Sequence, residues 1–205
     1  MINEIVNNAN KIIGQKCWNA YNPLFGWIRL NFGGTVYTGP PDEDNNLIGI
    51  GQYSIYVVCQ WRLDDGNHCL CSKASSREKV IRTIVCLIGD SVTKIEIYPP
   101  VWDAVFTFAS GKQLKLFCDF MDQEAWDHSW SFRVVDTEYR MGINNVICPY
   151  KNTDILPDVV LDPFVIDIPK QIESMCQVNS SEIIQGIADK IKTQRYNNPD
   201  NENEH

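Results

Sequence analysis

Residues 52–63 read QYSIYVVCQWRL, and they carry the strongest pattern in the chain. Every second residue from Tyr53 to Leu63 is apolar, whereas the residues between them are mostly polar. Successive side chains of a strand point to opposite faces, so this alternation predicts one long β-strand with a buried face and a mixed face. Most of these residues are β-branched or aromatic, which suits a pleated, half-buried surface. We expect Trp61 to lie in the core built around this strand.

The size and composition of the chain predict a folded protein with a substantial core. It has 205 residues, of which 44% are hydrophobic, and six are tryptophans. This composition excludes a disordered chain. The net charge of -8 argues against binding to nucleic acid or to anionic membranes, because both need a basic surface. Such a charge serves either solubility or the attraction of a basic partner.

The amino terminus does not have the pattern of a signal peptide. MINEIVNNANKIIGQK contains an early acidic residue and no long apolar centre. No part of the sequence approaches the roughly 18 apolar residues that a membrane span requires. We therefore expect a cytoplasmic protein whose eight cysteines are reduced thiols. Cys59 and Cys118 fall on the apolar side of strand patterns, where a free cysteine behaves as a small hydrophobe.

Two amphipathic helices are predicted, one before and one after the central strand. Residues 2–13 carry apolar side chains at helical spacing, and Gly14 is placed to end that helix. Residues 76–88 repeat the same spacing, and Ser75 and Glu78 form a capping-box signature at its start. The many β-branched residues of this second segment leave a buried strand as the alternative.

Two shorter strands are predicted from the same alternation of apolar and polar residues. Residues 28–32 form the first, and the pair Gly33-Gly34 is expected to close it. Residues 130–134 form the second, in which Ser131 and Arg133 are expected to point outward.

The sequence WDAVFTFASGKQLKLFCDF is typical of a β-hairpin. Each of its two strands has one apolar face, and both faces are expected to point into the same core. This requires Phe108 to lie opposite Leu114 and Phe106 opposite Leu116. A two-residue turn would break that match, so the pattern predicts a loop of three or five residues around Gly111.

The character of the sequence changes after Gly142. Residues 144–178 contain four prolines and no sustained period, which predicts an extended, wrapping segment, and the following NSSE opens a last helix. We therefore expect one domain over 1–143, a wrapping extension over 144–195 that ends in this helix, and a disordered tail over 196–205. The predicted fold is α+β, with a mainly antiparallel β-sheet core, an N-terminal helix, a helix packed on the sheet and a C-terminal helix.

The order of these motifs resembles that of a group of small bacterial proteins. Its members carry a strand ending in Trp-Arg-aliphatic, a later Asp that starts a Phe…Gly…Leu hairpin, and an acidic segment closed by a tryptophan-containing strand. The matching residues here are Trp61, Arg62, Leu63, Asp103, Phe108, Gly111, Leu114 and Trp130. The resemblance covers about residues 24–135 and implies a shared fold. Some of these proteins are similar to immunity proteins encoded beside polymorphic or contact-dependent toxins, which implies an inhibitor function.

The candidate partner-binding residues are acidic side chains with one tryptophan among them. No lysine or arginine lies between Lys115 and Arg133. An acidic surface with an aromatic anchor suits the docking of a basic protein. The alternatives are a solvated loop, or two carboxylates within 118–128 that perform hydrolytic acid–base chemistry. The candidates are Asp64, Asp65, Asp119, Asp122, Glu124, Trp126 and Asp127.

Two other groups of side chains have partial chemical signatures. His68, Cys69 and Cys71 amount to half of a structural zinc site, or to a turn with incidental thiols. Cys118 with His128 as its base is a candidate nucleophile, although its apolar setting favours an inert core cysteine. The chain contains no dinucleotide-binding, Walker or nucleophile-elbow motif, so we expect no cofactor.

The leading hypothesis is a non-enzymatic, acidic, cytoplasmic binding protein of the immunity type, which occupies the basic active site of a toxin. The alternative is a small hydrolase or metal-dependent enzyme that uses the acids of 118–128 or the His68, Cys69 and Cys71 cluster.

Overall fold

Two antiparallel sheets enclose one apolar core in the computed structural model of this chain. The structure describes residues 2–23, 26–38, 49–118, 129–142, 149–151, 155–161, 169 and 172–173. Among them are the helices α1 (Ile2–Ala9) and α2 (Arg77–Ile84). The strands are β1 (Cys17–Tyr21), β2 (Ile28–Thr38), β3 (Gly49–Val57), β4 (Gln60–Asp65), β5 (His68–Ser72), β6 (Val92–Tyr98), β7 (Asp103–Phe108), β8 (Lys112–Phe117), β9 (Trp130–Val134), β10 (Thr137–Met141), β11 (Pro149–Lys151) and β12 (Ile155–Leu161).

The first sheet has the strand order β1-β2-β3-β9-β10-β11, and the second has the order β5-β4-β8-β7-β6. The remaining strand, β12, pairs with the second half of β2, along the edge whose first half pairs with β1. All of these described pairs are antiparallel. The prediction of a mainly antiparallel β core with packed helices is therefore confirmed. The predicted C-terminal helix and tail lie outside the described residues.

The central stretch 52–63 is extended, but it is not the single long strand predicted. Its first half lies in β3 of the first sheet and its second half lies in β4 of the second. The change of sheet occurs at Val58 and Cys59, whose amides both donate to the carbonyl of Ser129, at 2.9 and 2.7 Å. The alternation continues across this break, so that Trp61, like the other apolar residues from Ile55 onward, is buried. The pattern predicted burial correctly because both sheets face the same core.

The glycine pair after Phe32 does not close the first predicted strand. β2 continues through it to Thr38, and the register of β2 against β3 shifts between Phe32 and Thr35. Gly33 has a φ of 69°, and a Cβ atom there would lie 2.8 Å from Cδ2 of Tyr53. The two glycines therefore form a bulge, which lets the strand bend and accept β12 on its far half.

Both predicted helices are present, and each ends in a 3₁₀ turn before a glycine of positive φ. The N-cap of α2 is Ser76, one residue later than the predicted Ser75, and its hydroxyl accepts a hydrogen bond from the amide of Lys79 at 3.3 Å. The hydroxyl of Ser75 instead accepts from the amide of Ser72 at 3.1 Å. Among the described residues, neither helix is long and apolar enough to cross a bilayer.

The hairpin β7–β8 has the predicted loop of odd length, with a register that differs from the prediction by two residues. Phe106, not Phe108, lies opposite Leu114. The loop is the three residues 109–111, and the amide of Gly111 donates to the carbonyl of Phe108 at 2.9 Å. A shift of two residues leaves every side chain on its original face, so the core pattern is satisfied by either register.

The strand β9 is buried on both faces. Ser131 and Arg133 point away from the apolar core, as predicted, yet they are only 2% and 8% exposed. Arg133 is paired with Glu138 of β10 at 3.3 Å, which accommodates its charge within the sheet. The segment predicted to wrap the domain contributes β11 and β12 to this first sheet.

Candidate protein-binding surface

Three large apolar side chains are exposed at one end of the second sheet. Tyr98 is 48% exposed, Val101 is 58% exposed and Phe117 is 42% exposed. Tyr98 pairs with Asp103 of β7, and the β7–β8 register, continued by one residue, places Asp103 opposite Phe117. The two aromatic residues therefore lie in one row, with backbones about 10 Å apart. We call Tyr98, Val101 and Phe117 the exposed apolar patch.

The strand patterns explain why this patch faces outward. The residues of β8 that point into the core are Leu114 and Leu116, so Lys115 and Phe117 point away from it. Phe117 thus stands where the alternation places a polar residue, and the guanidinium of Arg62 lies 5.9 Å from the centre of its ring. Isolated exposed hydrophobics are ordinary, but several at one sheet end are typical of an interaction site.

The nearby cations of this outer face are already paired. The carboxylate of Asp64 lies 2.9 Å from Nε of Arg62 and 3.0 Å from Nζ of Lys115. Lys94 pairs with Glu96 at 2.8 Å. These pairs partly offset the positive charge of this face: Arg62 and Lys115 share one carboxylate, and Lys94 has its own, which reduces the repulsion of a basic protein.

The exposed apolar patch adjoins the start of the acidic segment, defined here as residues 119–128. The residue before this segment, Cys118, is held by a hydrogen bond from its amide to Oδ1 of Asp103 at 2.7 Å. The residue after it, Ser129, donates its amide to the carbonyl of Met141 at 2.7 Å and accepts the two amides at the sheet junction. The two residues that flank the acidic segment, Cys118 and Ser129, are thus held by hydrogen bonds from their backbone amides to the two sheets.

Trp102 connects described residues on the two sides of this segment. Its carbonyl accepts hydrogen bonds from Nε1 of Trp130 at 2.8 Å and from Sγ of Cys118 at 3.2 Å. Its φ is 62°, a left-handed conformation that is rare and strained for a bulky residue. The surrounding hydrogen bonds and the burial of its side chain hold it there.

The structure separates the candidate residues that were predicted from the sequence. Asp119, Asp122, Glu124, Trp126 and Asp127, with His128, lie outside the described residues. Asp65 is exposed at the β4–β5 turn, about 17 Å along β4 from the row that contains Phe117. Asp64 is buried and its carboxylate pairs with Arg62 and Lys115 of the same sheet, so Asp64 is not part of the exposed surface.

The exposed apolar patch was missed in the sequence because its members belong to two separate stretches, one with Tyr98 and Val101 and one with Phe117. Only Phe117 carried a signal, since it is an apolar residue out of phase with Leu114 and Leu116. Sequence alternation indicates which side a residue faces, but not that Tyr98 and Phe117 share a row.

The side chains of His68, Cys69 and Cys71 do not come together at one site. His68 and Cys69 are exposed, whereas Cys71 is buried, and this burial raises the pKa of its thiol to about 12. In the parts of the chain that the structure describes, no three His, Cys, Asp or Glu side chains come together as a metal site.

Comparisons of this chain with protein-family models, with curated proteins and with solved structures found no match.

Proposed function

We propose that this protein is a non-enzymatic binding protein of the immunity type, which binds a basic protein domain and covers its active site. The observation that carries the proposal is the position of the exposed apolar patch at the start of the acidic segment. The patch supplies apolar area that solvent otherwise contacts, and the segment that follows Phe117 in the sequence supplies negative charge.

The chemistry of the two parts suits a basic partner. Aromatic side chains dominate the centre of protein interfaces because they bury a large area at a small cost in entropy. The acidic segment carries Asp119, Asp122, Glu124 and Asp127 and contains no lysine or arginine. Carboxylates in such a segment attract the basic cleft of an enzyme that acts on nucleic acid, since that cleft normally receives phosphates.

The net charge of the chain supports the same partner class. At -8 it accelerates association with a basic protein at low salt and repels nucleic acid. Tyr98 and Phe117 then account for the part of the affinity that persists when salt screens the charges.

The experiment is co-expression of this chain with the product of the adjacent gene, scored by recovery of a complex and by survival of the host. We expect a complex that weakens as salt increases, and protection from the toxicity of that product. Phe117→Ala is expected to weaken both, whereas Ile13→Ala removes an exposed apolar residue remote from the patch and serves as the matched control. Recovery of no complex, together with no protection, contradicts the proposal.

A further inference from the structure

The outer face of the first sheet carries a second polar arrangement, on a different sheet from the exposed apolar patch. The strand registers align two rows across β2, β3, β9 and β10. The first row is Arg29, Tyr56, Ser131 and Arg140. In the next row Arg133 lies opposite Glu138. Three guanidinium groups therefore share one face with a single described carboxylate between them.

That carboxylate is used by two of the three arginines. Oε2 of Glu138 lies 3.3 Å from Nη2 of Arg133, and Oε1 lies 3.4 Å from Nε of Arg140. Arg29 contacts no described carboxylate. Its Nη1 donates to the hydroxyl of Tyr21 at 3.4 Å, and its guanidinium lies 4.8 Å from the centre of the Tyr56 ring.

Two of the guanidinium donors have no acceptor among the described residues. Nε of Arg29 and Nε of Arg133 are both buried and make no hydrogen bond to the part of the chain that the structure describes. Arg133 is only 8% exposed. Burial lowers its pKa, and although Glu138 raises it, the charge of Arg29 lowers it further. A buried guanidinium with an unused donor is unfavourable unless an anion compensates it.

We propose that Arg29 and Arg133 form a binding site for a small oxyanion, a carboxylate or a phosphate, beside the ring of Tyr56. A guanidinium presents planar, paired N–H donors that match both classes of oxyanion. An anion bound against these two guanidinium groups balances the positive charge that Glu138 alone leaves over among the described residues of this face. Arg29 and Tyr56 are only partly buried, so the site is open on their side.

The polar neighbours of the site favour an anion. Burial raises the pKa of Tyr56 to about 12, more than the charge of Arg29 lowers it, so its hydroxyl is neutral near pH 7 and does not repel a negative charge. Glu138 is held on the far side of Arg133 by its own contacts with Arg133 and Arg140.

The test is the melting temperature of the full chain, titrated with sodium phosphate and separately with sodium acetate against sodium chloride of equal ionic strength. Specific binding to the folded state raises the melting temperature saturably and beyond the chloride control. A rise with phosphate alone or acetate alone identifies the class of oxyanion, and a rise with both supports a site that accepts either. No rise beyond chloride with either anion overturns the proposal.

Variants assign the effect to the site. Arg29→Gln is expected to weaken the binding by about tenfold or more, because it removes one of the two guanidiniums. Arg82→Gln, at an exposed position on α2, is the matched control and is expected to bind as the wild type does. Arg29 is half-buried, so this variant remains testable where Arg133→Gln fails to fold. An unchanged response in Arg29→Gln also overturns the proposal.

Discussion

Cys118 differs from the other described cysteines in the groups that surround its sulfur atom. Hydrogen bonds from the thiol of Cys59 and the hydroxyl of Ser129 lower the pKa of Cys118, and burial only partly opposes them. Burial instead raises the pKa of Cys71 to about 12 and raises that of Cys86 as well. Because the thiolate is the reactive form, these shifts predict an order of reactivity.

We expect iodoacetamide to modify Cys118 faster than Cys71 or Cys86 near neutral pH. Peptide mass spectrometry over a time course measures each rate. Cys59→Ala removes the donor that lowers the pKa of Cys118 most, so this variant is expected to slow modification of Cys118. Modification of Cys86 ahead of Cys118 contradicts the assignment.

Glu138 provides a second prediction at the scale of one residue. Burial by itself raises its pKa, but the hydrogen bond from Ser131 and the charges of Arg133 and Arg140 outweigh burial, and the pKa falls below its ordinary value of 4.5. A carboxyl whose pKa is lower when folded stabilises the protein above its unfolded pKa. That stabilisation is lost as the pH falls through the folded value.

Glu138→Gln is therefore expected to reduce the free energy of unfolding at pH 7 by about 3 kcal/mol, because it leaves Arg133 buried without its partner. Urea unfolding measures the change. As the pH falls below the unfolded pKa and through the lower folded pKa, the difference between the wild type and the variant is expected to shrink, since the wild-type carboxyl then loses its charge. Glu78→Gln, at an exposed position, is the control and is expected to change stability by less than about 0.5 kcal/mol. Equal effects of the two substitutions contradict the account.

At the scale of elements, the alternation of residues predicted which side chains of a strand are buried, but it did not predict which strands pair with each other. The odd residues from Ile55 to Leu63 are buried as expected, yet they belong to two sheets. Alternation is a local property that both sheets satisfy equally. The change of sheet depends on the carbonyl of Ser129, about 70 residues later in the sequence, and no local pattern contains that contact.

The hairpin β7–β8 shows the same limit in its register. A loop of odd length followed from the faces of the two strands, but registers that differ by two residues satisfy those faces equally. The turn determines which of the two registers forms, and in this turn Gly111 has a φ of 87°. A three-residue loop with glycine at this left-handed position is a common hairpin geometry.

The turn gives a prediction at this scale. Gly111→Ala is expected to lower the free energy of unfolding by about 1 kcal/mol, because a Cβ atom disfavours the left-handed region although it meets no other atom there. Gly111→Asn is expected to lower it less, since asparagine adopts this region more readily. Thermal or urea unfolding of both variants measures the difference. Equal stability of the alanine variant and the wild type contradicts the turn geometry.

At the scale of the whole molecule, the two sheets have unlike outer faces. The first presents arginines and tyrosines, and the second presents the exposed apolar patch. The composition predicted an acidic binding protein, but it did not predict this division, because it depends on the order of the strands in each sheet. The candidate residues chosen from the sequence were carboxylates and one tryptophan, Trp126, whereas the structure adds the exposed apolar patch.

Affinity for the product of the adjacent gene, measured by titration calorimetry over a range of salt concentrations, tests the central claim most directly. The account predicts that Tyr98→Ala and Phe117→Ala each weaken binding by about tenfold or more at every salt concentration, while Asp122→Lys weakens it chiefly at low salt. Ile13→Ala is expected to bind as the wild type does. Wild-type affinity in both patch variants, with their folds intact, would show that the partner does not dock on this end of the second sheet.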